Sequence, residues 1–154
     1  MLDRIFPERI DNHFRGHRVA LWLLAVLVLM KGGIGLGTIF NGYSAATSAD
    51  GIPLDTFTPA GTQAFLALFA AWGLSQFILN LIGVLVLIRY RAMVPFMFAL
   101  LLVEHLSRKL IFVFLPIARE TTPPGFYLNL AFVAVMIVGL VLSLWNQDDL
   151  KQQE

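Results

Sequence analysis

Val94–Ile117 reads VPFMFALLLVEHLSRKLIFVFLPI, an apolar run with Glu104, His105, Arg108 and Lys109 set in its middle. At about 1.5 Å per residue it is long enough to cross the roughly 30 Å hydrocarbon core of a bilayer as a helix. On insertion scales its roughly fifteen Leu, Ile, Phe and Val residues gain about 4–9 kcal/mol, whereas Glu104, Arg108 and Lys109 near the bilayer centre would cost about 7–10 kcal/mol. Such a helix hardly inserts alone. It requires neighbours that cover its charged face, and this predicts several spans around a shared polar layer.

Composition points the same way. With 58% hydrophobic and 14% charged residues and a mean hydropathy of +0.76, the chain has too little polar surface for a water-soluble domain. The lipid bilayer is its solvent. A net charge of +1 offers no basic surface for nucleic acid. The absence of cysteine excludes disulfides, thiol catalysis and iron–sulfur ligation. Of the three histidines, His13 and His17 precede the first span and only His105 lies within one, so no facing pair can hold a haem. A metal would need the adjacent Glu104 and His105, which diverge by about 100° on a helix, to reach one ion. No haem, iron–sulfur cluster or metal is expected.

Outward from the charged run, spans are predicted at about 19–40, 62–88, 94–117 and 126–145. They give an all-α, polytopic fold: four transmembrane helices in an antiparallel bundle over residues 18–146. Residues 1–17 precede it. There Leu2, Phe6, Ile10 and Phe14 recur every fourth residue, predicting a short helix on the membrane surface, with a frayed soluble tail as the second reading. In the first span Lys31 stands near the middle, and Gly33 and Gly37 form a GxxxG pair, with Gly32 and Gly35 thinning the remaining faces for close helix packing. Residues 41–61 form one long loop carrying Asp50 and Asp55 and no basic residue. On the second span Gly73, Gln76, Asn80 and Gly83 share a face that should point inward. On the fourth, Asn129, Phe132, Met136, Gly139 and Ser143 form a packing seam. The tail, 147–154, is polar.

Basic residues set the orientation. Arg4, Arg9, Arg15, Arg18, Arg89, Arg91 and Lys151 flank one end of the spans, and only Arg119 lies in a loop at the other. By the positive-inside rule both termini face the cytoplasm, as expected for a multi-pass protein of the inner membrane. Depth then follows from helix rise: Lys31 lies about 20 Å beyond Arg18, Glu104 about 20 Å beyond Arg91, and Gln76 about 20 Å from Arg89. Three helices thus bring a polar group to one level. Lys31 and Glu104 should face each other there, with Gln76 and Asn80 completing the hydrogen bonds. One carboxylate then stands against Lys31, Arg108 and Lys109 with His105 beside them, so an anionic ligand or lipid, a partner subunit, or the loop residues Asp50, Asp55 and Glu120 are expected to supply negative charge.

Two readings of that layer stay open. Lys31 and Glu104 could form a structural pair while Arg108 and Lys109 snorkel outward along their stems. Alternatively Lys31, Gln76, Asn80, Glu104, His105, Arg108 and Lys109 form a binding or proton-handling site. Arg18 opening the first span, Lys31-Gly32-Gly33 in its outer half and Arg89-Tyr90-Arg91 before the third give a layout that resembles the DoxX-like small bacterial membrane proteins. That resemblance implies a bacterial cytoplasmic membrane and an accessory or quinone-linked redox role; it carries over no catalytic residue. The chain is therefore expected to be a non-enzymatic accessory or ligand-binding subunit, homo-oligomeric or joined to a partner membrane subunit, with a quinone or an anionic lipid as candidate ligand. The competing expectation is a quinone-linked redox subunit or small ion or proton transporter using Glu104 and His105.

Overall fold

Three of the four long helices carry a proline at their first or second residue, which supplies a preset φ and lacks only an N–H that the first turn leaves unbonded in any case. The computed structural model describes residues 5–7, 10–117 and 122–145. Its long helices are α1 (Val19–Phe40), α2 (Pro59–Arg89), α3 (Val94–Phe114) and α4 (Pro124–Leu144). Helix α2 begins three residues before its expected start because Pro59 follows a cap: Thr58 Oγ1 accepts from the Gly61 N–H at 3.1 Å. Helix α3 stops at Phe114, short of Ile117, two residues before Pro116. Helices α1, α2 and α4 are long and apolar enough to cross a membrane. Helix α3 has the length, 21 residues, and carries the charges.

Helices α1 and α2 run antiparallel in close contact. A Cβ on Gly35 would lie 3.0 Å from the Gly73 carbonyl oxygen, one on Gly32 would lie 3.7 Å from Asn80 Cβ, and Gly83 lies against Val28. As the residue number rises on α1 its partner's number falls on α2. Gly73, Gln76, Asn80 and Gly83 are all buried on this contact face. The glycine pair singled out in the sequence does not do the packing, however. Gly33 and Gly37 meet nothing within 4 Å, whereas Gly35 and Gly73 approach so closely that each leaves no room for a side chain on the other. Gly33 and Gly37 share one face of α1 and Gly35 lies on another; the buried Gly73–Asn80 face of α2 covers the latter.

Helix α4 packs against α1 and α3 with Phe132, Met136, Gly139 and Ser143, the expected seam, while Asn129 is half-buried. Gly139 leaves space for the Phe98 ring. Leu24, Leu27, Val28, Met97, Phe98, Leu101 and Met136 fill the core between the charged layer and the Arg18 end. At the other end the expected loop is largely structured: a helical turn at Gly42–Ser44, π-helix at Ala45–Ala49 and a 3₁₀ turn at Leu54–Thr56. Ala46, Ile52 and Leu54 are buried there against Phe65, Leu66 and Phe69 of α2.

The expected surface helix is not formed over residues 10–17, which are irregular. Their hydrogen bonds go to helix ends instead. The Asp11 carbonyl accepts from Ala92 N–H at 3.2 Å, and His17 N–H donates to the Leu142 carbonyl at 3.0 Å, satisfying one of the acceptors left open at the end of α4. Phe14 packs on the core and the Phe6 ring lies 5.7 Å from that of Phe96. Leu2, Arg4, Arg9, residues 118–121 with Arg119 and Glu120, and residues 146–154 with Lys151 lie outside the described residues.

The glycine contacts give a direct test in thermal unfolding of the detergent-solubilised protein. Gly73→Ala places a Cβ 2.9 Å from the Gly35 oxygen and should cost about 1–3 kcal/mol. Gly33→Ala and Gly37→Ala point into open space and should leave the transition unchanged or slightly higher.

Candidate functional site: a buried charged layer

Glu104 of α3 is the hub. Its Oε1 accepts from Gln76 Nε2 at 2.7 Å, and its Oε2 lies 3.7 Å from Lys31 Nζ. One turn along α3, an Arg108 guanidinium nitrogen lies 3.5 Å from each carboxylate oxygen. Three helices therefore converge on one carboxylate at the level set by counting residues from the arginines at their ends. Lys31 is 5% exposed and Glu104 22%, so the pair sits inside the protein with the carboxylate towards its edge. A charge here has no bulk water to fall back on, which is why its partners come from every neighbouring helix.

Aromatic faces complete the cations. The Phe132 ring of α4 lies 5.8 Å from Lys31 Nζ, and the Trp72 ring of α2 lies 4.9 Å from the centre of the Arg108 guanidinium. Trp72 is the site residue that sequence reasoning missed; its signal was its place one turn before Gln76, on the same face of α2. Trp72 also begins a stack through Phe69 and Phe65, with centroid spacings of 5.3 and 5.4 Å, that rises along α2 towards the structured loop. From that loop Asp50 acts on Arg108 as a second, longer-range counter-charge.

Arg108 does not snorkel. Side chains on a helix lean towards its N-terminus, and Arg108 turns back to Glu104 and to His105, whose Nδ1 lies 3.1 Å away. An arginine only donates, so Nδ1 of the neutral imidazole is the acceptor and the proton is assigned to Nε2. That Nε2–H is buried and has no hydrogen-bond partner among the described residues. Asn80 donates through Nδ2 to the Gln76 carbonyl at 2.6 Å, leaving its Oδ1 buried and equally unpartnered. Lys109, one turn beyond His105 on the same face of α3, is half-buried and makes neither an ion pair nor a hydrogen bond to a described residue.

The structure thus brings Lys31, Gln76, Glu104 and Arg108 into direct contact. It places Asn80 one turn below Gln76 and His105 beside Arg108, and it leaves Lys109 apart. No protein-family model, curated protein or solved structure matches the chain.

Removing the hub's charge tests its structural weight. Glu104→Gln leaves Lys31 and Arg108 without their shared counter-ion and should lower stability by about 3–5 kcal/mol, the usual consequence of breaking a buried pair from one side. Thermal unfolding monitored by circular dichroism reads this directly.

Proposed function

We propose that the chain is a bacterial inner-membrane protein whose four long helices cross the bilayer as an antiparallel bundle with both termini in the cytoplasm. Its role is that of a non-enzymatic accessory or ligand-binding subunit, and the charged layer at the bilayer midplane is the binding site. Three helices with membrane-spanning length and apolarity support the placement, as does the DoxX-like layout of Lys31 and the Arg89-Tyr90-Arg91 turn. The fourth crossing is supported by the burial of the α3 charges against α1 and α2, which removes the insertion penalty that α3 would carry alone. Arg15, Arg18, Arg89 and Arg91 at one end favour the orientation.

The observation that carries the binding role is the unused hydrogen-bond capacity of His105 Nε2 and Asn80 Oδ1, both buried beside the paired Lys31, Gln76, Glu104 and Arg108 and without a partner among the described residues. In a medium without water each such atom costs several kcal/mol if it stays unmet. A ligand or partner group that offers an acceptor to His105 and a donor to Asn80 removes that cost. A carbonyl-bearing head such as a quinone's suits the imidazole N–H. We rank proton transport second, because Glu104 and His105 are linked only through Arg108, and a guanidinium does not give up its proton to pass one on.

Two measurements test this reading. The chain has no cysteine, so single cysteines at Asp55 and at His13 should react with an impermeant maleimide from opposite sides of intact cells or spheroplasts, Asp55→Cys from outside alone. For the site, Asn80→Leu removes an unpartnered oxygen without leaving a new orphan, so stability should hold within about 1 kcal/mol. Native mass spectrometry should then show loss of the small molecule or partner chain that the unaltered protein carries. Retention at the same occupancy contradicts the site.

A further inference from the structure

The outer half of α3 stands apart from the rest of the molecule. Every residue from Leu110 to Pro116 is exposed, on all sides of the helix and not on one lipid-facing stripe, with Val113, Phe114 and Leu115 at 70–74%. The face that carries Glu104 and Arg108 continues outward through the exposed Ile111 and Leu115, with no neighbour over it among the described residues. The charge at its base is unbalanced. Among the described residues Lys31, Arg108 and Lys109 face Glu104 and Asp50, and Lys109 is the member without an ion pair. Lys109 lies about 22 Å along α3 from Val94, some 8 Å short of the far edge of a 30 Å hydrocarbon layer. A lysine stem spans most of that gap, so its ammonium reaches the level where lipid phosphates begin.

Resting on the four-span reading above, we propose that this free half of α3 is the docking face for an anionic phospholipid of the outer leaflet, its phosphate held by Lys109 and its acyl chains lying along Ile111, Phe112 and Leu115. Charge selects the occupant. A second copy of the chain packed here through a two-fold axis would set its own Lys109 and Arg108 beside these cations. A zwitterionic lipid brings a phosphate together with its own positive group and leaves the excess in place. An acidic lipid supplies the missing negative charge and covers the apolar surface with one molecule.

The test is native mass spectrometry of the full chain released from nanodiscs made of equal parts phosphatidylglycerol and phosphatidylcholine. The protein should retain phosphatidylglycerol over phosphatidylcholine by roughly fivefold, the preference that one lysine near an anionic headgroup supplies. Lys109→Gln should return the ratio to that of the bilayer without changing thermal stability, and Lys109→Arg should restore it. A bulk ratio in the unaltered protein, an enrichment that Lys109→Gln leaves intact, or a lipid-free dimer overturns the proposal. Alkaline carbonate extraction of the native membranes separates this from the premise: a chain released as soluble protein refutes the four-span reading itself, whereas a membrane-retained chain without lipid preference refutes the docking face alone.

Discussion

The contact between Lys31 and Glu104 is what the rest of the structure depends on. Each side chain is untenable without the other: Lys31 is buried among the apolar residues of α1, and Glu104 stands near the middle of α3. Bringing them within 3.7 Å requires α1, α2 and α3 to share one depth and one rotation, since Gln76 must reach the same carboxylate from the third side. The glycine contact between Gly35 and Gly73 lies one turn from Lys31 and sets how close α1 and α2 come. Packing and polarity thus constrain the same stretch of helix. A buried pair of this kind adds little net stability compared with apolar residues of equal size. Its expected effect is on register, because any other register leaves a charge among apolar side chains.

The helices were legible in the sequence because apolar runs of membrane-spanning length have few alternatives; their ends were less so, since Pro59, Pro116 and Pro124 set two starts and one stop two or three residues away from those expected. The meeting of Lys31, Gln76 and Glu104 was legible for a related reason: helix rise is fixed, so arginines at the ends act as depth marks. Rotation about each helix was harder. On α2 the polar residues Gln76 and Asn80 marked the inner face unambiguously. On α1 glycines occur on several faces, and sequence spacing favoured Gly33 and Gly37 over the Gly35 that makes the contact. Trp72 was passed over because an aromatic residue in an apolar helix carries no signal of its own until Arg108 is known to reach it. The irregular course of residues 10–17 was hidden by the four-residue recurrence of apolar side chains, which predicts a helix but here serves contacts with Phe96 and the core. Backbone groups of that segment find partners at helix ends, and no local pattern announces such long-range bonds.

The layer divides into two parts with different capacities. Glu104, Gln76, Lys31 and Arg108 are mutually satisfied and hold the helices in place. Asn80 and His105, immediately beside them, each keep one atom in reserve. In the binding reading proposed above, the paired groups hold the scaffold and the two unmet atoms are left for the ligand. Arg108 lies between the carboxylate and the imidazole, bonded to both, which is why proton transport ranks second.

The central claim is that Lys31 and Glu104 are coupled across helices, and a double-mutant cycle of Lys31→Met and Glu104→Gln measures that coupling most directly. Thermal unfolding of the four proteins should show the double variant more stable than the sum of the single losses predicts, by at least about 1 kcal/mol. Losses that add to within about 0.5 kcal/mol would mean that the two side chains do not sense each other, and would contradict the account.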